Sequence, residues 1–530
     1  MPVYSSRTSR RCCALALAAT STVLLIAACG SGKGNSPSGK PAVDTSGTIT
    51  IGTTVPAQGF NPATSVNVGA AYGQYQAIFD SLIQVNPRTG LLEPELATSW
   101  TWSSNHLSLY LFLRHGVRFQ DGTPFDATAV TYYENYYLAQ GDTEGLLADV
   151  SSVTAQGSYE VDFHLTQPNA LLLGNLSDAP GYIPSEAALK HEGSVGFATH
   201  PVGAGPYTFS SEVAGYDYVL KRWPGYWNNA HEPRVSELRW EVFSSDTAEV
   251  DAIESGAVNV AAFLAPQDYH ALKTYPNLVV SAAPDVDAWF GFEDGNDPPF
   301  NSTQFRLAWE EAVDRTGLAK VVTDGTGTGF TVASPGVEPY VKSLLPIWPY
   351  EPATAAKLVK ESGHPHGINV TCYAEAEDLG GNYNAIDPIL IAEYKAAGIN
   401  LTIRPMDSAQ LGLMVQGKLG ACAFFYVDTV DTSIWGIENT FKNTAWSQGF
   451  TNPAHIDYGT DQYVTQFQRT FSNGALEKLY YEIEATQKTD PATFTPLFTA
   501  PEVNVYQKGI VGWYSNAFNN DHWYAMYRTG

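Results

Sequence analysis

The sequence predicts an α/β fold, and three observations carry that expectation. Residues 368–427 alternate strand and helix patterns in the order INVTCYA, DPILIAEYKAAG, INLTIRP, SAQLGLMVQGKLG and ACAFFYV. Strands that alternate with helices of this length imply a parallel sheet. Gly398 and Gly420 stand where the two helices end, at the C-cap position that glycine fills without a Cβ penalty. The rest of the chain mixes period-two runs such as HLSLYLFLR and YEVDFHL with helical runs such as DATAVTYYENYYLA. No tandem repeat is visible.

The first element in chain order is separate from that fold. Arg7, Arg10 and Arg11 precede the uncharged run CCALALAATSTVLLIAA, residues 12–28. A membrane-spanning helix needs about 17–25 apolar residues, so this run sits at the lower limit. A basic start, a short apolar stretch and small residues at its end describe an export signal. Ile26-Ala27-Ala28-Cys29 resembles a bacterial lipobox, with small residues before the cut and a thiol that accepts the lipid. The expectation is a lipoprotein signal peptide over residues 1–28 and lipidation at Cys29. The alternative is an uncleaved anchor with an incidental cysteine. Ser9-Arg10-Arg11 is only a weak twin-arginine signal. The glycines that follow do not make a phosphate loop, because Gly34 stands after Gly32-Lys33 where a magnesium-ligating hydroxyl is required. Residues 30–46 (GSGKGNSPSGKPAVDTS) hold too little apolar surface to order themselves, so 29–46 reads as a flexible tether.

Charge narrows the partners. Residues 1–28 contain three arginines and no acid, so their removal takes the formal charge from −25 to −28. Such a surface repels nucleic acid. Charged residues make up 16% of the chain and aromatic ones 12%. That balance suits a partly wet cavity, where rings pack on one side and hydrogen-bond on the other. With Cys12 and Cys13 removed and Cys29 modified, only Cys372 and Cys422 remain, too few for a disulfide framework or a Cys-rich metal site. Both fall on strands of the predicted parallel sheet. An extracytoplasmic location allows a bridge, but two buried free thiols are the favoured expectation, since free Cys commonly acts as a small buried hydrophobe.

The body of the chain opens with GTITIGTTVP, an alternating strand that ends at Pro56. AIFDSLIQV passes from helix to strand character. Asp121-Gly122 is a turn, and Asp126 caps the helix that begins DATAV. The two prolines and two glycines of PVGAGPY are loop punctuation, compatible with a crossing between domains. Gly363 stops the helix that ends KLVKESG.

Residues 91–130, LLEPELATSWTWSSNHLSLYLFLRHGVRFQDGTPFDATAV, resemble the signature of the extracellular solute-binding proteins of family 5. These are the peptide- and nickel-type binding components of ABC importers. HPVGAGPYTF (200–209), YWNNAHEPRVSELRW (226–240), AEVDAIESGAVNVAAF (248–263), PPFNSTQFRLAWEEAVDR (298–315) and PLFTAPEVNVYQKGIVGW (496–513) are similar to further family segments, in the family's order. The likeness covers nearly all of residues 47–530. It implies a two-lobed, type II periplasmic-binding-protein fold of the Venus-flytrap kind. Lobe I would take 47–83, 200–282 and 501–530, an accessory domain would be inserted at 84–199, and lobe II would take 284–500. The implied protein is a monomer without cofactor or catalytic residues. It is anchored to the outer face of the cell membrane and delivers a peptide or other small solute to the ABC permease.

The resemblance also implies a site. FFYVDTVDTSIWG keeps the family's aromatic, two residues and Asp as Phe425 and Asp428, with Tyr426 between them. Asp431 keeps the second acid, but Thr432 replaces the family's proline. In peptide-binding relatives the acid matching Asp428 pairs with the ligand's α-amino group, a charge-assisted contact. Phe60, Tyr75, Phe263, Trp289 and Tyr506 are the further expected contacts. Two rivals remain. His364-Pro365-His366 suits nickel, although its Pro and Gly surroundings suggest an exposed loop. The other is an exported hydrolase: neither G-x-S-x-G nor H-E-x-x-H occurs, but the eleven scattered His and many acids leave room for a site assembled in space.

Overall fold

Side chains of a strand alternate between its two faces, and Thr48–Thr53 shows the result: Ile49 and Ile51 point inward and are fully buried. This strand pairs in parallel with Glu237–Val242 on one side and Val260–Leu264 on the other. The computed structural model describes residues 43–44, 47–65, 73–86, 91–140, 146–147, 149–295, 297–329, 348–375, 385–406, 422–427, 459–491, 494–512 and 523–529. Within them one long sheet runs in the order Ile399–Met406, Ile368–Glu375, Cys422–Val427, Leu278–Glu293, Phe494–Gln507, Val260–Leu264, Thr48–Thr53, Glu237–Val242, Asp217–Arg222, Tyr207–Val213.

The expected parallel arrangement is present. Ile368–Glu375 pairs in parallel with both Ile399–Met406 and Cys422–Val427. The helix Ile386–Ala396 lies between the first two strands in sequence, and Gly398 follows it at φ +83°, a left-handed conformation that a Cβ disfavours. The second expected helix and Gly420 lie outside the described residues. One expectation is corrected. Cys372 and Cys422 are directly opposite in the parallel register, with Cα atoms 4.5 Å apart, and they form a disulfide. Opposed positions on adjacent strands fall inside the separation a disulfide spans. The strands were legible, but their register was not.

The local signals of the earlier segments also stand. Asp126 Oδ1 accepts from the amides of Thr128 and Ala129 at 2.8 and 3.3 Å, capping the helix Ala127–Gln140. That helix packs beside a separate antiparallel sheet in the order Ala97–Trp102, Ser108–Leu113, Glu160–Leu165, Val150–Ala155. The PVGAGPY loop then returns to the main sheet. A Cβ on Gly203 would meet the carbonyl oxygen of Ile78 at 2.1 Å, so only glycine lets the loop lie against the helix Gly73–Ile78.

Two large apolar cores result. The first gathers Ile49, Ile51, Phe79 and Trp240 from the main sheet side with Leu109, Leu111, Tyr133 and Phe163 from the accessory sheet and its helix. The accessory segment therefore shares one continuous core with the strands it interrupts. The second core gathers Phe305, Trp309, Leu318, Leu390, Tyr394 and Phe498. Within it sits a buried acid pair. Thr495 Oγ1 lies 2.7 Å from Glu293 Oε1 and 2.8 Å from Glu310 Oε1, Trp309 Nε1 donates to Glu293 at 3.1 Å, and Arg315 pairs with Glu310. Burial, with the neighbouring Glu310 charge, pushes Glu293 up to about 8. Burial pushes Glu310 up to about 7 against the pull of Arg315.

Candidate ligand-binding site

Two strands serve both cores. Leu278–Glu293 and Phe494–Gln507 run antiparallel. Their 278–283 and 502–507 halves pair over a smaller core that joins Leu278, Val280, Val503 and Val505 to Ile253 and Leu272, with Tyr506 against the first core, and their 287–293 and 494–500 halves pair beside the second. The register shifts between Ala283 and Asp287. A register break of this kind bends a strand pair locally. The two strands therefore cross from the smaller core into the second.

On the first side, Val260–Leu264 ends at the crossing with Phe263 at φ +65°. A bulky residue there is a backbone outlier, and such outliers persist only where surroundings over-determine them. The surroundings are visible. Phe263 N–H donates to Asn504 Oδ1 at 3.0 Å, and Ala262 N–H donates to Glu249 Oε1 at 2.9 Å. Asn504 Nδ2 in turn donates to Glu502 Oε1. The pairing with 503–505 shifts between Ala261 and Leu264. Glu249, Glu502 and Asn504 are all buried. Burial raises the Glu249 carboxyl above the usual range, opposed by the Ala262 amide.

On the second side, Trp289 faces Phe498 across the crossing strands, with rings stacked at 5.8 Å and 17°. Trp289 also pairs with Tyr426, Phe290 with Phe425, and Ala288 with Val427, through the backbone of Cys422–Val427. The paired strands thus carry two features at separate positions, a strained bulge with buried polar supports and an aromatic step. Two open grooves of 540 and 550 Å³ among the described residues lie elsewhere, one beside Tyr132 and Tyr136 and one beside His200 and Phe209.

Residues 92–448 match the family of bacterial extracellular solute-binding proteins, family 5, middle region. The chain belongs to the family 5 extracellular solute-binding proteins. The glutathione-binding protein GsiB of Escherichia coli O1:K1 is 25% identical over 441 residues, covering 80% of this chain and 83% of that protein. The periplasmic binding protein DppA from Helicobacter pylori, in complex with peptide STSA, superposes with a TM-score of 0.79 at 20% identity, covering 92% of this chain and 99% of that one. A dipeptide-binding protein from Pseudoalteromonas sp. SM9913, in complex with Met-Leu, gives a TM-score of 0.79 at 18% identity over 91% and 100% of the two chains. The solute-binding protein thus has the two-lobed type II fold, with the crossing strands between its lobes.

The residues expected at the site divide three ways. Phe263 and Trp289 lie at the crossing, and Tyr506 sits on the second crossing strand opposite Val260 and Val279. Burial pushes the Tyr506 hydroxyl up. Phe60 and Tyr75 are packed inside the first core. Phe60 meets Phe209 and Tyr218 at ring distances of 5.0 and 6.0 Å, and Tyr75 donates to Ser65 O at 2.6 Å and packs on Tyr182. Phe425 and Tyr426 are placed by their backbone alone, and Asp428 and Asp431 lie outside the described residues, as does Cys29. His364 and His366 occupy the turn between Pro352–Glu361 and Ile368–Glu375. Sequence reasoning passed over Glu249, Glu502 and Asn504. A signal existed for two of them: in APEVNV, Glu502 and Asn504 recur at period two on a strand that is otherwise apolar.

Proposed function

We propose that this chain is the substrate-binding lipoprotein of an ABC importer that captures a peptide or peptide-like solute bearing a free amine, and releases it unaltered. The observation that carries this reading is the crossing itself. The same long strand, Phe494–Gln507, carries Asn504, which fixes a backbone bulge together with Glu249, and Phe498, which stacks on Trp289. Preformed polar groups in a largely apolar cleft orient a small ligand. Closure of the lobes then excludes water, as in hinged binding proteins. The peptide class is supported by the relatives, which are named for glutathione and peptide binding. Asp428 follows Val427, which pairs with Ala288 at the crossing, and its carboxylate is the partner for the ligand's ammonium group. Cys29, after its small residues, carries the lipid that holds the body at the membrane, and the protein works as a monomer with its permease.

Calorimetry with glutathione and a panel of di- and oligopeptides tests the reading. One-to-one binding is expected, and Asp428→Ala or N-acetylation of the ligand weakens it several-fold or more, because either removes a charge-assisted pair. Full affinity for the acetylated ligand removes the amine from the account. No heat from any peptide, with binding of nickel alone, transfers the protein to the metal-binding branch. Palmitate labelling that survives Cys29→Ala would remove the anchor.

A further inference from the structure

One set of contacts joins the lobes without using either crossing strand. The hairpin between Ala97–Trp102 and Ser108–Leu113 turns at His106, which has φ +55° and donates its amide to Ser103 O at 2.9 Å. This tip holds the His106 ring face to face with Phe471, centroids 4.0 Å apart at 16°. Trp102 meets the same Phe471 edge-on at 5.1 Å. Close by in sequence, Arg469 donates to Gln167 Oε1 at 2.7 Å, and the Ala170 amide donates to Gln468 O at 2.6 Å. Gln167 is held from behind, since its Nε2 donates to Asp149 Oδ1 at 2.7 Å. That bond leaves its carbonyl oxygen facing Arg469.

The two sides of this cluster belong to different lobes. Trp102 packs on the first core, and Leu171 and Leu172 follow Ala170 into buried positions on the same side. Phe471 lies between the helices Asp461–Gln468 and Asn473–Gln487. Those helices lead into Asp490 and Pro491, which the buried Arg306 ties to the second core: its Nε donates to Pro491 O at 2.7 Å and its Nη1 to Phe300 O at 2.8 Å, and it pairs with Asp490. We infer that the His106–Trp102–Phe471 stack and the Gln167–Arg469 and Ala170–Gln468 hydrogen bonds form a latch that stabilises the closed arrangement of the lobes and thereby raises solute affinity. The consequence for affinity rests on the solute-binding reading, but the existence of the latch does not.

The size of the contact suits a releasable device. Phe471 is 39% exposed and Arg469 is exposed, so the cluster is small and wet. An aromatic pair and a few partly solvated hydrogen bonds shift a two-state equilibrium by about tenfold, not by the many thousandfold that would freeze it. A solute that binds both lobes adds to the same side of that equilibrium. Apparent affinity then scales with the fraction of protein that remains closed.

The test is small-angle scattering of the full chain without solute, comparing wild type with Phe471→Ala/Arg469→Ala. The double variant is expected to have the larger radius of gyration, and its affinity for glutathione, used as the probe, is expected to be weaker by roughly two- to tenfold. Tyr481→Ala, an exposed change on the same helix pair, leaves both values unchanged. Scattering curves of wild type and double variant that superimpose overturn the latch. Glutathione that binds neither protein counts against the solute reading, while the scattering still decides the latch. Should the double variant fail to fold, Arg469→Ala alone, which empties no core position, gives the same comparison with the same two outcomes.

Discussion

The lobes are joined in two places, and the joints are built in opposite ways. At the crossing, Leu278–Glu293 and Phe494–Gln507 pair along both lobes through the backbone, flanked by buried Asn504, Glu502 and the Trp289–Phe498 stack. At the latch, side chains and one backbone amide meet at solvent-facing loops around Phe471. A ladder of backbone hydrogen bonds opens only with the fold, because its groups would be left unpaired in the interior. A wet aromatic stack opens at a cost comparable to thermal fluctuation. The difference is between a joint held by continuous backbone pairing and one held by a few solvent-facing side chains that can part.

The largest way to disturb the rigid joint is to cut the tie beside it. The Cys372–Cys422 disulfide closes a loop with a sequence separation of 50 and pins Cys422–Val427, the strand that leads into Asp428. Cys372→Ala/Cys422→Ala is expected to lower stability by about 4 kcal/mol on loop-closure grounds, read as a drop in urea midpoint that reductant reproduces in wild type and not in the variant. A midpoint that does not move would mean that the pairing of the strands suffices without the bond. Next in size is Asn504→Leu, which removes the acceptor of the Phe263 amide and one donor to the Glu502 carboxylate. A loss of about 1–3 kcal/mol is expected, together with weaker solute binding. A stable variant with normal affinity would show that the bulge at Phe263 needs no side-chain support.

The acid pair of the second lobe gives a pH test that the latch should not share. Glu293 is raised from 4.5 to about 8 in the folded protein, so between those values the native state holds a proton that the unfolded chain releases. Stability therefore falls as pH rises from about 4.5 to about 8. Glu293→Gln removes this part of the slope, and the difference in Tm between pH 5 and pH 8 should shrink, by about one degree for each ~1 kcal/mol removed in a chain of this size. An unchanged slope would place the titration on other groups. The smallest expected effect is on the latch side: Phe471→Ala should cost about 1 kcal/mol or less in stability while weakening binding. A larger loss of stability than of affinity would make Phe471 a packing residue.

What could be read from the sequence follows the same division between local and distant causes. The Asp126 cap and the Gly398 stop were legible because each is set within a few residues of itself. The parallel sheet of 368–427 was legible because its period changes along the chain. The disulfide was not, because it depends on the register that puts Cys372 opposite Cys422. Phe60 and Tyr75 pack inside the first core, and residue type alone does not distinguish a ring in a core from a ring in a cleft. The conformation of Phe263 is held by Asn504, 241 positions away, and no local pattern announces it. Arg469 and Gln167 are 302 positions apart, so the latch has no sequence signature at all.

Native mass spectrometry of the gently purified full chain tests the central claim most directly. The account predicts a one-to-one complex with a small amine-bearing solute, which leaves on mild activation with its mass intact and rebinds when added back. A protein that holds no such solute and takes up none from a peptide pool, or one that returns the solute cleaved, would contradict it.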